Sequence, residues 1–251
     1  MQAGFKEQFT VKWEKYFPAA QLPVCFYYTD DQKTGIAQPL PERHCFIHDL
    51  ERVRRGESLA FTGGDIGCGG GRYFLGFTRS QGPNFNYFLS CGIPGEMEGE
   101  HYKESPELVA KMRAQVPPMV APARQVVFKR WDRLDEQDLP QVVIFFAGAD
   151  VMSGLFTLAN FDESDPQAVI APFGSGCSTI VQQPYHELES AHPHAVLGMF
   201  DVTARPWVGA HEMTLAVPWP KFVCMVDNMD KSFLALGDWG KVKERIINTG
   251  G

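Results

Sequence analysis

Two cysteines set among glycines are the residues best placed to do chemistry. Cys68 stands in Gly64-Asp65-Ile66-Gly67-Cys68-Gly69-Gly70-Gly71 and Cys177 in Phe173-Gly174-Ser175-Gly176-Cys177-Ser178, each after a short apolar run. Glycine lets backbone approach a ligand closely and adopt positive φ. Such a turn aims a thiol and several N–H groups at one small volume. Three chemistries suit that arrangement. The first is metal binding, in which Cys45, Cys68, Cys177 and Cys91 supply the four sulfurs taken by an iron–sulfur cluster or a zinc ion. The spacings of 23 residues from Cys45 to Cys68 and 23 from Cys68 to Cys91 contain no Cys-x-x-Cys pair, so the fold must bring the ligands together. The second is a reactive thiol. Cys177, at the start of a helix expected over 178–183, would feel the positive end of the dipole and have a lowered pKa. His186, His192, His194 and His211 are candidate bases, and no spacing singles one out. The third is a binding module in which the backbone N–H groups from Gly67 through Gly69 and Gly70 to Gly71, together with Gly176 and with Arg72 nearby, hold a carboxylate or phosphate. The glycines match neither the phosphate-loop motif nor the dinucleotide fingerprint, and a tight turn made for packing explains them equally well.

The elements that must position these residues read as α/β, with α+β as the alternative. Phe5, Phe9, Trp13 and Tyr16 recur at helical spacing and stop before Pro18. A strand is expected at 24–28, a helix at 42–55 with Gly56 as its stop, and a strand at 59–62. Aromatic-rich 73–77 and 85–89 read as further strands. Ser105-Pro106-Glu107 is a helix start with an N-cap and proline at the first position, and Pro117-Pro118 bounds that helix. Strands follow at 125–129, 142–146, 168–172 and 213–217, with helices at 151–161, 219–236 and 239–247. Phe222, Val223, Val226 and Met229 form the stripe of the first closing helix.

The two halves show one order of strand, acidic residue, helix, strand and Gly-Cys turn. Val24 and Val142 are offset by 118 residues, and Cys68 and Cys177 by 109. An internal duplication is therefore expected: a first half at 1–120 and a second at 121–251, each with a mixed sheet covered by helices. A pseudo-two-fold would set both cysteine turns on a shared cleft.

Composition narrows the partners. With a net charge of −7 over 251 residues, the chain lacks the clustered Lys and Arg that nucleic acid or anionic membrane surfaces require. Its basic knot, Arg52, Arg54 and Arg55, closes a helix and complements the dipole there. The apolar stretch 142–161 contains Asp150, which at mid-membrane would cost about 2.5–3.5 kcal/mol. The first residues carry no secretory pattern, so a cytoplasmic protein with six reduced cysteines is expected. Cys25 and Cys224 read as small buried hydrophobes, and Phe85, Tyr87 and Phe88 read as core. His44 and His48, four apart beside Cys45, have a spacing that can bind a metal, but an exposed helix face is the commoner explanation. Asp30, Asp31 and Asp150 read as caps, and His211-Glu212 lacks the second histidine of a zinc-protease motif.

The motif order resembles domain-of-unknown-function family 169. Cys45 opening a helix, Arg54-Arg55-Gly56, Cys68-Gly69-Gly70 and Leu75-Gly76 follow its pattern in the first half. Cys177, Leu197-Gly198, Arg205, Glu212-Met213 and Pro218 follow it in the second. Where many members read Leu-Gly-Cys, this chain has Met199. The resemblance implies no activity, and its cysteines suggest metal or redox chemistry. The function expected is a cysteine-lined cleft for a metal centre, or alternatively for a small molecule or anion, or a thiol enzyme using Cys177 or Cys68.

Overall fold

A computed structural model describes residues 4–31, 36–37 and 44–249. In chain order the elements are α1 (Phe5–Tyr16), β1 (Val24–Thr29), α2 (Phe46–Arg54), β2 (Leu59–Phe61), α3 (Gly69–Phe74), α4 (Phe85–Phe88), α5 (Pro106–Arg113) and β3 (Gln125–Arg130). There follow β4 (Val142–Ala147), α6 (Ala149–Ala159), β5 (Val169–Ile170), a π-helix (Ser178–Gln182), α7 (Gln183–His186), β6 (Ala195–Gly198), β7 (Met213–Pro218), α8 (Trp219–Asn228) and α9 (Gly237–Thr249).

The strands form one mixed sheet of order β2-β3-β1-β4-β7-β6-β5. Every pairing is antiparallel except β5 with β6. The α/β class stands, with one sheet where separate sheets were expected. β1 and β4, the two strands matched in the expected duplication, lie side by side with Val24 opposite Ile144. β3, which lies beyond the boundary expected at residue 120, sits between β1 and β2.

Both faces of the sheet are covered, and the strands show it. Along β4, Val143, Phe145 and Ala147 enter one core while Val142, Ile144 and Phe146 enter the other. A strand buried on both sides needs an unbroken apolar run, which is why 142–147 reads so strongly. The first core is built on α1, whose Phe5, Phe9, Trp13 and Tyr16 are all buried as their spacing requires, with α6, α8 and α9. The second core holds Phe46, Ile47 and Leu50 of α2 and Ile180 and Val181 of the π-helix. All the cysteine chemistry below lies on this second side.

Several local expectations hold in detail. Ser105 Oγ accepts from Leu108 N at 3.3 Å and caps α5. Gly56 ends α2 at φ 101°. Residues 42 and 43 of the expected helix lie outside the described residues. Other expectations fail. The stretches read as strands at 73–77 and 85–89 carry instead the end of α3 and the whole of α4. Helices of six and four residues are too short to display a 3.6-residue period, and their aromatics imitate strand propensity. The expected strand at 168–172 shrinks to two residues, and β6 escaped notice because four residues carry little pattern. Cys224 is exposed on α8, not buried.

Candidate functional site

Three of the four cysteines expected to act together line one cavity of about 440 Å³: Cys45, Cys68 and Cys177. Each comes from a different segment. Cys45 is the N-cap of α2, Cys68 the N-cap of α3, and Cys177 directly precedes the π-helix. The fourth, Cys91, is exposed and does not line the cavity. Among the described residues, no group of three or more His, Cys, Asp or Glu side chains stands ready to hold a metal.

The glycines around Cys68 divide by role. Gly71 N donates to Cys68 Sγ at 3.2 Å, so one N–H of the expected anion cradle is already used. A Cβ on Gly71 would lie 2.7 Å from Ile66 Cγ2, 2.9 Å from Cys68 Sγ and 3.1 Å from Phe46 Cβ. Gly70 lines the cavity, and a Cβ there meets only Phe74 Cε2 at 4.0 Å. Neighbouring substitutions should therefore diverge. Gly71→Ala overpacks the turn and is expected to lose about 1–3 kcal/mol. Gly70→Ala is expected to gain about 0.5–1 kcal/mol from backbone entropy. Urea unfolding of the two variants checks both signs.

The remaining candidates fall outside the cavity wall. Gly67, Gly69 and Arg72 do not line it, and Arg72 is exposed. Gly176 is a packing glycine. Its N–H donates to Asp201 Oδ2 at 2.9 Å, and a Cβ would press on Ala204 at 3.0 Å and Met199 Sδ at 3.2 Å. Met199 thus occupies the space behind the Cys177 turn.

The expected activation of Cys177 is overturned. Burial pushes its thiol well above the ordinary cysteine range, and the nearby Cys68, Cys45 and Asp201 raise it further. Burial likewise raises Cys45. Low dielectric disfavours the thiolate more than one helix start favours it. None of the candidate histidines lines the cavity. His194 Nδ1 lies 2.9 Å from Glu187, His186 Nε2 lies 3.1 Å from Pro117 O, and His44 pairs with buried Asp49 at 2.8 Å. His48 stacks on Trp207 at 4.3 Å.

Sequence reasoning missed the walls. Phe85 and Phe88, taken as core, line the cavity with Tyr73 and Phe74 of α3. Phe88, Phe173 and Phe200 are exposed at 37, 52 and 53 %. Large aromatics left exposed along a concave surface mark a place where something docks. The signal was available as aromatic density between residues 73 and 88, but it was assigned to the interior. The π-helix adds Ser178 and Gln182 to the lining, and insertions of this type often accompany functional sites.

The other motif residues build the frame. Arg54 pairs with Glu212 at 2.6 Å and stacks on Phe146 at 4.5 Å. Arg205 donates to the carbonyls of Gly209 at 3.0 Å and Ala210 at 2.9 Å. A Cβ on Gly76, at φ 80°, would lie 2.4 Å from Ala121 N. Asp150, expected as a cap, sits in the first turn of α6 and pairs with Arg245 at 2.9 Å.

No curated protein and no solved structure gives a significant match to the chain. The model of domain-of-unknown-function family 169, described as uncharacterised ArCR, matches residues 14–228. That span contains all three clustered cysteines, the aromatic walls and the arginine frame, and the chain belongs to this family.

Proposed function

We propose that this protein binds a small organic molecule in the aromatic-walled cavity, with Cys45, Cys68 and Cys177 at the site. The observation that carries this reading is the convergence of three thiols from separate segments on one apolar cavity of about 440 Å³, within the usual range for ligand sites of about 300–1,000 Å³. The raised thiols of Cys45 and Cys177, with no histidine lining the cavity, favour binding over nucleophilic catalysis. The net charge of −7 favours a small ligand over nucleic acid or a membrane surface. None of the described helices is long and apolar enough to cross a membrane, in keeping with a cytoplasmic role.

Gly70→Leu tests the reading, since a side chain there enters the cavity without meeting backbone. The neutral fluorophore prodan is expected to bind saturably to the wild type, with affinity at least about tenfold lower in the variant and a melt no lower than that of the wild type. Equal binding by both proteins would remove the cavity as the site.

A second reading, a zinc ion or iron–sulfur cluster on the three thiols, is supported by the same convergence. Three thiolates leave one position open, as in catalytic zinc sites. Asp201 is poorly placed to fill it, because its oxygens already accept from Gly176 N at 2.9 Å and Thr203 Oγ1 at 2.7 Å. Structural zinc contributes about 10–16 kcal/mol against whole-domain stabilities of about 5–15 kcal/mol, so it would dominate the melt. On this second reading, elemental analysis finds metal and chelation lowers Tm sharply. Metal-free protein whose melt is indifferent to zinc would end this reading.

A further inference from the structure

The cavity that the proposed function relies on carries cations without acidic partners. Arg113, at the end of α5, lines it; Nη1 donates to Asn86 Oδ1 at 2.8 Å, and the guanidinium lies 5.2 Å from the centroid of Phe85. Its Nε is buried and has no hydrogen-bond partner among the described residues. Lys103, on the same cavity, sits 4.4 Å over the ring of Phe173, and no carboxylate within ion-pair distance of it is found among the described residues. Gln81 presents a buried carbonyl oxygen that also has no partner.

Two acids face the same space. Asp201 accepts from Gly176 N at 2.9 Å, Thr203 N at 3.0 Å, Thr203 Oγ1 at 2.7 Å and Tyr102 Oη at 3.3 Å. Its charge is spread over those donors. Glu100 is exposed at the edge. Neither neutralises Arg113 or Lys103.

A buried N–H without an acceptor is costly, and more so on a charged group such as the Arg113 guanidinium. A chain of net charge −7 that nonetheless lines its apolar cavity with two cations lacking an ion pair among the described residues has a site suited to one kind of guest. We infer that the ligand is an organic anion: an aromatic or otherwise apolar body against Phe74, Phe85 and Phe88, with a carboxylate or phosphate head received by Arg113 and Lys103. The guanidinium edge matches such heads in shape as well as charge. This assignment rests on the cavity being a binding site, and its test separates the two claims.

The probes are 2-naphthoate, 2-naphthyl phosphate and the uncharged isostere 2-naphthamide, titrated calorimetrically into the full chain. Naphthoate or naphthyl phosphate is expected to bind at least about tenfold tighter than naphthamide, and whichever anion binds better identifies the head group. Arg113→Gln is expected to bring the preferred anion to within about twofold of the amide, with Arg113→Lys intermediate. Because Arg113 also holds Asn86, Lys103→Gln provides a second variant, expected to weaken the anions alone. Naphthamide binding as tightly as both anions would overturn the charge assignment and leave the cavity reading in place. Absence of binding by all three probes would overturn both.

Discussion

Lys129→Met is expected to lose about 3–5 kcal/mol of unfolding free energy at neutral pH, because it strips the cation from a buried acid. Lys129 Nζ lies 2.7 Å from Asp138 Oδ2, with the two side chains 5 and 1 % exposed. Its other partner, Asp135, is largely in solvent and adds little. Tyr27 Oη at 2.5 Å and Asp135 N at 2.8 Å complete the shell of Asp138. Burial pushes the Asp138 carboxyl up, but the bonds from Lys129, Tyr27 and the Asp135 N–H outweigh it and hold it below the usual range. Burial pulls Lys129 down, and its bonds to Asp135 and Asp138 more than reverse that. A lowered acid stabilises the fold above its unfolded pKa of about 3.9, and that contribution fades as pH falls through the lower folded value. A raised lysine stabilises below about 10.4 and loses the contribution as pH rises through its higher folded value. The bridge therefore acts between about pH 4 and pH 10. In the variant, burial dominates and raises Asp138, a penalty that acidification relieves. Urea titrations are expected to show the wild-type advantage narrowing from pH 7 to about pH 4. An advantage of equal size at both would rule out the charge as its source.

Trp131→Ala should be comparably severe, at about 3–5 kcal/mol. Trp131 is fully buried at the end of β3, with ring centroids 4.5 Å from Phe9 and 5.4 Å from Phe222. Its Nε1 donates to Thr10 Oγ1 at 3.2 Å. Truncation opens a cavity between α1, α8 and the sheet while leaving the thiols, on the opposite face, untouched. Calorimetry should show a lower Tm, and prodan binding below that Tm should be unchanged. Lost binding in a folded Trp131→Ala protein would mean that the two cores are coupled through the sheet.

The frame was largely legible from residues. The buried stripe of α1, the Ser105 cap and the apolar run of β4 each carry enough local information to specify themselves, because period, capping and turn chemistry act over a few residues. The cysteines were legible as a group but not as a geometry. Nothing in the spacing separates Cys91, which is exposed, from Cys45, which lies beside Cys68. That distinction depends on where the loop after α4 travels, and loops carry little periodicity. Cys177 shows a different limit. Its place at a helix start argues for a lowered pKa, and only its burial, a property of everything packed around it, reverses the sign. Gly176 and Gly71 are equally instructive, since glycine next to cysteine reads as ligand access whereas their missing Cβ atoms make room for Met199 and Ile66.

By itself, the sequence determined the α/β character, most of the helices and central strands, and the family, because these follow from short-range pattern and motif order. The tertiary structure alone decided that one sheet carries the seven strands of the described residues, that Cys45, Cys68 and Cys177 but not Cys91 line one cavity, and that short aromatic helices wall it together with Arg113 and Lys103. Those features arise from contacts between segments far apart in the chain. No local periodicity encodes them.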